Sequence, residues 1–284
     1  MRGSPAAFPA ILILIAALLL PASPRADEVP YVTTPDPVVE AMLSIADVGP
    51  GDILYDLGSG DGRIVIAAAK RHVARATGIE YDKKLVAESR EIAAREGVSD
   101  RARFLEQDIF LTDFRDATVV TMYLLPEVNL QLRPRILDEL SPGTRVVSHD
   151  WDMGDWKPDD LRTIPMPEKE VFPAGESTVF LWIVPARIAG NWRGTLSGPD
   201  GAETVEIGID QRYQRIEAKA RLNGKTLAGG GRIRGKDVSL ELDRPAGKPG
   251  APPLRFSLRT DGNSIEGDAV SGKERFSLKA NRAP

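Results

Sequence analysis

Apolar positions in the first two thirds of the chain come in short strand-like runs that alternate with helix-like segments. Ile53-Leu54-Tyr55 leads through Asp56 into a polar, glycine-rich stretch and on to Ile64-Val65-Ile66-Ala67-Ala68-Ala69, which reads as a helix. Residues 76–80 form a short apolar strand that finishes on Glu80. Residues 85–96 set Leu85, Val86, Ser89, Ile92 and Ala93 on one face and stop at Gly97, as an amphipathic helix with a glycine end does. Further strand-like runs fall at 102–108, 118–123, 144–148 and 179–184. Strands alternating with helices over residues 27–185 predict an α/β domain built on a doubly wound, mostly parallel sheet.

The pattern changes near residue 186. Runs such as Val238-Ser239-Leu240-Glu241-Leu242 and Leu254-Arg255-Phe256-Ser257-Leu258 alternate strictly, and turns such as Asn223-Gly224 and Ser271-Gly272 separate them. These are hairpin signals, and their regular spacing predicts a small antiparallel barrel or sandwich of about eight strands over residues 186–284. Residues 248–253 read as a surface loop. Nothing in this unit looks catalytic; binding of a substrate protein, a lipid or the cell envelope, and simple stabilisation, are all open to it.

At the other end, Arg2 precedes an apolar run over residues 6–20 and the stretch Pro21-Ala22-Ser23-Pro24-Arg25-Ala26. The run is shorter than a comfortable membrane span of about 20 residues, and its flanks are ordered as in a secretory signal. Cleavage after Ala26 puts Pro24 where a small residue is preferred, so residues 1–26 read as a signal peptide or an uncleaved membrane anchor. Either implies an exported or membrane-anchored protein of the cell envelope, with the side faced by the active site left open.

The candidate chemistry lies at the ends of the predicted strands. Asp56-Leu57-Gly58-Ser59-Gly60-Asp61-Gly62 is a strand end, a glycine loop and a helix start, in which Gly58, Gly60 and Gly62 let the backbone turn sharply and approach a ligand. The dinucleotide fingerprint would need its last glycine at position 63, where this chain has Arg63. About 20 residues beyond the loop, Glu80 closes a strand where a carboxylate can accept both hydroxyls of a ribose. Asp108 is placed either to accept the amino group of an adenine or to act as a helix N-cap, and both roles can hold together. Tyr123, Leu124, Leu125 and Pro126 follow the fourth strand, beside the reacting centre by topology. After the fifth strand, His149-Asp150-Trp151-Asp152-Met153-Gly154-Asp155-Trp156 is the densest polar and aromatic cluster in the chain. Its acids and tryptophans suit a lysine ammonium, through charge and cation–π contacts, and its proton. A turn-capping role for the aspartates and a packing role for His149 and the tryptophans are the alternatives.

Composition narrows the field. The 284 residues carry a net charge of -4 with basic residues scattered, which argues against a nucleic-acid partner. There is no cysteine and there are two histidines, so thiolate chemistry and Cys-ligated metal are excluded and a His-based metal site has little to draw on.

The D-x-G-x-G-x-G loop resembles that of class I S-adenosylmethionine methyltransferases. With Gly78-Ile79-Glu80, Gln107-Asp108, the 143–148 stretch and Trp156-Lys157-Pro158, the region 29–185 resembles the lysine methyltransferase family of the mitochondrial ATP-synthase c-subunit enzyme. The resemblance implies a Rossmann-like methyltransferase sheet and S-adenosyl-L-methionine as cofactor, with Asp56, Gly58, Ser59, Gly60, Gly62, Glu80 and Asp108 around it. It also implies transfer of methyl groups to a protein lysine, on a membrane protein, by an enzyme whose family carries a membrane-targeting N-terminal segment. On this reading Tyr123, Asp150 and Asp152 are the catalytic candidates; Leu124, Pro126, His149, Trp151 and Trp156 face the substrate; and no metal is needed. A small-molecule methyltransferase and a non-catalytic envelope-binding protein with a methyltransferase-like fold are the competing readings.

Overall fold

The computed structural model describes residues 32–71, 75–170, 174–243 and 252–283. The N-terminal segment 1–26 and most of the 248–253 loop lie outside them. Among the described residues no helix is long and apolar enough to cross a membrane.

The chain opens with α1 (Asp36–Ile45), started by Pro35 at its N-cap, and continues through β1 (Ile53–Leu57), α2 (Arg63–Arg71), β2 (Arg75–Glu80), α3 (Lys83–Arg95) and β3 (Ala102–Glu106). It then passes through β4 (Val119–Met122), α4 (Pro126–Glu139), β5 (Arg145–His149), β6 (Asp160–Met166) and β7 (Gly175–Ile183). These seven strands form one sheet in the order β3-β2-β1-β4-β5-β7-β6. Strands β1 to β5 are parallel, and β7 runs antiparallel to both of its neighbours. The doubly wound, mostly parallel sheet is therefore present. One face is packed by Val38, Met42, Leu43, Val65 and Ala68 from α1 and α2, and the other by Leu132 and Ile136 of α4 together with Phe114, Met122 and Trp182.

Strand order reverses between β1 and β4, so the loops after β1, β2, β4 and β5 open on one crevice at the carboxyl edge, where α/β sheets bind ligands. Three elements, α1, α4 and β6, go beyond the sequence reading, and β3 stops at Glu106, leaving Asp108 in the following loop.

The remaining strands are β8 (Gly190–Gly198), β9 (Gly201–Arg212), β10 (Arg215–Leu222), β11 (Lys225–Arg234), β12 (Asp237–Asp243), β13 (Leu254–Thr260), β14 (Ser264–Ser271) and β15 (Glu274–Arg282). They close into an antiparallel barrel, since β15 pairs back onto β8. Alternate residues such as Ile207, Ile216, Leu240, Phe256 and Leu278 fill its interior. Curvature is bought with glycine: a Cβ on Gly229 would sit 1.9 Å from the carbonyl oxygen of Glu241, and one on Gly231 would sit 2.0 Å from that of Ser239.

Candidate active site

The glycine loop is shaped by its backbone. Gly58, Gly60 and Gly62 have φ of 77°, 52° and 79°, in the left-handed region that glycine enters without strain. The N–H groups of Gly58 and Ser59 both donate to the carbonyl of Ile79, at 2.9 and 3.0 Å. Gly60 N–H donates to Glu80 Oε2 at 2.9 Å, and Ser89 Oγ of α3 donates to the Gly60 carbonyl at 3.0 Å. Bulk is also excluded: a Cβ on Gly62 would lie 2.4 Å from the Phe104 ring, and one on Gly58 2.7 Å from Leu124.

Glu80 thus spans two loops. Its Oε1 accepts from Tyr81 N–H at 2.8 Å and Asp82 N–H at 2.9 Å, and its Oε2 from Gly60. A carboxylate offers about four acceptor positions; three are used to fix it, and one on Oε2 remains for a ligand hydroxyl. Asp56 is buried under the loop, and Thr121 Oγ1 donates to its Oδ1 at 2.7 Å. Burial, reinforced by the charges of Glu80 and Asp61 and opposed by the Thr121 bond, pushes its carboxyl up to about 7. A cationic ligand at this place would favour the ionised form. Asp108 Oδ1 accepts from Phe110 N–H at 2.7 Å, so it caps a turn; the expected helix N-cap is not formed, because the next element is β4 and no helix follows Asp108. Ser59 departs from expectation. Its hydroxyl is buried against Gly78, where a Cβ would come within 2.5 Å of it, and its N–H is spent on Ile79, so it shapes the loop from within. Its Oγ has no hydrogen-bond partner among the described residues.

The loops after β4 and β5 meet at Tyr123, whose ring lies on that of His149 with centroids 3.9 Å apart. Asp150 lies beside the Tyr123 hydroxyl; burial first, then the Asp150 charge and hydrogen bonding with it, raise that hydroxyl to about 12. His149 is wholly buried, its Nδ1 3.2 Å from Thr34 Oγ1 and its Nε2 2.9 Å from Ser177 Oγ. Burial outweighs the Asp150 charge and holds its pKa down to about 4, so the ring is neutral. Asp150, at φ 61°, has a fully enclosed carboxylate. Its Oδ1 accepts from Thr178 N–H at 2.9 Å and its Oδ2 pairs with Lys169, which also donates to Ser177 Oγ at 3.1 Å and the Glu176 carbonyl at 2.9 Å.

This geometry corrects several sequence expectations. His149 cannot touch a substrate from full burial; it is the floor beneath Tyr123. Asp150 is consumed by Lys169 and Thr178, so it anchors the loop beside Tyr123 instead of binding an acceptor ammonium. Asp152 is exposed and caps a turn, accepting from Gly154 N–H at 2.9 Å. Trp156 is fully buried, 5.9 Å from Trp182 and 6.0 Å from Tyr213 by ring centroids, so it is a packing residue. Leu124 leans over Gly58, Pro126 is the first residue of α4, and Trp151 is half-buried, with its N–H on the His149 carbonyl.

Lys169, Ser177 and Thr34 escaped the sequence reading, as did Asn129. Buried in α4, Asn129 donates through Nδ2 to Ser148 Oγ and the Trp151 carbonyl, both at 3.1 Å. Its neighbours Glu127 and Val128 carried no signal to separate it from any other helix residue. Arg63, read only as a departure from the dinucleotide fingerprint, grips Asp61 and donates to the Thr34 carbonyl at 2.9 Å, tying the glycine loop to the His149 side. Among the described residues no cluster of three or more His, Asp or Glu side chains could hold a metal ion.

The glycine loop, with Glu80 beside it and Asp56 beneath, fits S-adenosylmethionine: carboxylates for a ribose and for a cation, and a backbone turn that only glycines can make. Residues 56–160 match the family model described as the ANTKMT methyltransferase domain. A protein-lysine N-methyltransferase of Saccharolobus islandicus is 47% identical over 134 residues, 47% of this chain and 83% of that protein. The human lysine N-methyltransferase of the ATP-synthase c-subunit is 36% identical over 132 residues, 46% of this chain and 56% of that one. Among solved structures, an RNA methyltransferase from Salinibacter ruber in complex with S-adenosyl-L-homocysteine is 52% identical, with a TM-score of 0.50 over 55% of this chain and 96% of that one.

Proposed function

We propose, from the premise that the chain belongs to the S-adenosylmethionine-dependent protein-lysine methyltransferase family, that it methylates the side-chain amine of a lysine, and, from its similarity to the enzymes named for the adenine nucleotide translocase and the ATP-synthase c-subunit, that this lysine is in a membrane protein. The observation that carries this reading is the pairing of two walls on one crevice. Glu80 and the glycine loop form one, and Tyr123 with Leu124 forms the other.

S-adenosylmethionine, when bound, supplies a methyl group already activated on a sulfonium. Asp56, Glu80, Gly58, Gly60, Gly62 and Asp108 are the residues that would hold it. What remains for the protein is to present a neutral amine in line, exclude water and let a proton leave. With the Asp150 carboxylate beside it to take its hydrogen, the Tyr123 hydroxyl can use its oxygen as an acceptor and orient an amine N–H. Held near 12, it stays protonated at neutral pH and acts by orientation, not as a base. Leu124 and Trp151 add apolar surface, which favours the uncharged amine.

The 52%-identical solved relative carries an RNA methyltransferase title, which gives RNA a place as the second reading. The net charge of -4 favours protein over RNA. Residues 1–26 would carry the enzyme to the membrane as signal or anchor, with the catalytic part at 27–185 and the barrel at 186–284.

The test uses methyl-labelled S-adenosylmethionine with a membrane fraction and, separately, with total RNA, followed by hydrolysis of the labelled product. Methyl-lysine from the membrane fraction supports the proposal, label in nucleosides moves the assignment to RNA, and no label in either removes both.

A further inference from the structure

The turn between β9 and β10 carries side chains that leave the barrel for the loop after β5. Tyr213 stacks on Trp156 with planes 23° apart, and its hydroxyl donates to Asp155 Oδ1 at 3.1 Å. Arg212 Nη2 reaches Asp155 Oδ2 at 2.7 Å, and Gln214 Nε2 donates to the Lys157 carbonyl at 2.5 Å. From the opposite side Arg133 of α4 donates to Asp155 Oδ1 at 2.6 Å and to the Met153 carbonyl at 2.7 Å, while its guanidinium lies 5.7 Å over the Tyr213 ring. With the Arg212 bond as the largest cause, these partners hold Asp155 down at about 2, so it is ionised at any working pH.

The turn itself is unusual. Arg212 pairs with Arg215, so Tyr213 and Gln214 form a two-residue hairpin loop, and only the first has positive φ, at 54°. That is the pattern of a type II′ turn, whose first position favours glycine. A tyrosine there is strained, and an unstrained residue would serve the hairpin better. Strain held at one residue points to a use for its side chain.

We propose that the barrel braces the acceptor-side loop, residues 151–157, through this turn, and that Tyr213 is the positioning residue. The family match ends at residue 160, upstream of the barrel, so the brace is an addition to the shared core. The path is short. Tyr213 fixes Asp155 and Trp156; the same loop carries Trp151, whose carbonyl is held by Asn129 and whose N–H bonds to His149, the floor of Tyr123. That the loop borders the acceptor rests on the function proposed above; that the barrel holds its shape does not.

Three variants of the full chain separate these ideas: Tyr213→Gly, Tyr213→Ala and Tyr213→Phe. Glycine relieves the turn and removes the brace, whereas phenylalanine keeps the stacking and loses only the hydroxyl. In hydrogen exchange followed by mass spectrometry, amides 151–157 should exchange about tenfold faster in Tyr213→Gly and Tyr213→Ala, equivalent to roughly 1.4 kcal/mol of local opening. Tyr213→Phe should stay within about threefold of the unmodified protein, and amides of the 58–62 loop should not change. Methyl transfer to the membrane fraction should fall about tenfold in Tyr213→Gly with S-adenosylhomocysteine affinity by calorimetry unchanged. Unchanged exchange at 151–157 in Tyr213→Gly overturns the brace, as does faster exchange throughout the barrel and sheet alike. Faster loop exchange with transfer unaltered overturns the positioning role. Failure of the unmodified protein to bind S-adenosylhomocysteine would sink the proposed function while leaving the exchange result standing.

Discussion

Two loops at the carboxyl edge of the same sheet, the one after β1 and the one after β5, are held in different ways. The first is held by backbone: glycines at positive φ, two N–H bonds to Ile79 and a third to Glu80, all within about 25 residues of sequence. The second is held by side chains from afar. Lys169 comes from the connection between β6 and β7, Ser177 from β7, Thr34 from before α1, Asn129 from α4 and Tyr213 from the barrel turn. A loop fixed by its own backbone can serve one ligand in every relative, while one fixed by borrowed side chains can be retuned by changing the lenders. This is the division expected where a cofactor is common and an acceptor varies.

If that contrast is right, the sharpest break comes at Lys169. Its side chain is 6% exposed and pairs with the fully enclosed Asp150 carboxylate. Lys169→Met leaves a buried charge without its cation, and chemical denaturation should show a loss of about 3–5 kcal/mol. The double variant Asp150→Asn/Lys169→Met should recover more than half of it. A single-variant loss below about 1 kcal/mol would mean that the pair is solvated and holds nothing.

Beneath the first loop, Asp56 gives the next largest effect, read as a pH dependence. In the folded protein its carboxyl holds a proton up to about pH 7, whereas its ordinary value is 3.8, so between these the folded state binds the extra proton. Stability therefore falls as pH rises from about 4 to about 7, by at most ~4 kcal/mol at 1.36 kcal/mol per unit. Asp56→Asn should flatten that part of the profile, and denaturation midpoints across pH 4 to 8 measure it. A profile of the same slope in both proteins would place the titration elsewhere.

The contrast also explains what could be read from the chain. The sheet, Glu80 and the glycine loop were legible because each is a local pattern: a period of two or 3.6, a glycine where φ is positive, a carboxylate at a strand end. The barrel strands were legible for the same reason, except where Gly229 to Gly231 replaces alternation with curvature that no periodicity reports. The α1 and α4 helices and β6 were missed because β6 is largely exposed and carries little apolar signal, α1 follows a proline-rich start, and α4 starts at Pro126, carries Pro134 inside and buries only Asn129, Leu132 and Ile136. After β5 the cluster from His149 to Trp156 does fold at the carboxyl edge of the sheet, but of the two sets of roles that the sequence left open, burial gives His149 and Trp156 the packing one. Burial of His149 and Trp156 depends on residues 28 and 57 positions away, Ser177 and Tyr213, and no spacing rule reaches that far.

Glu80 offers a smaller and more specific test of the cofactor wall. Glu80→Gln keeps the shape but turns an amide N–H₂ toward N–H groups that now donate to a carboxylate. Losing charge-assisted bonds of this kind costs roughly 1.5–3 kcal/mol, so S-adenosylhomocysteine affinity should drop about 10- to 100-fold by calorimetry, with the barrel's melting unaffected. An unchanged affinity would remove Glu80 from the ligand site and leave it a loop clamp.

The least severe prediction concerns Tyr123, and it bears most directly on how the acceptor wall works. Tyr123→Phe preserves the ring on His149 and removes only the hydroxyl beside Asp150. If that oxygen orients an amine, the variant should lose about tenfold in kcat for lysine methylation, near 1.4 kcal/mol, with KM for S-adenosylmethionine unchanged. Because the hydroxyl is held near 12, the shape of the pH–rate profile between pH 7 and 9 should be the same in both proteins; a base would leave a missing limb. Loss of a limb in the variant would make Tyr123 the proton acceptor after all. That outcome would require its hydrogen bond to Asp150 to be given up when acceptor binds, and the borrowed side chains of this loop would then be parts of the chemistry as well as its supports.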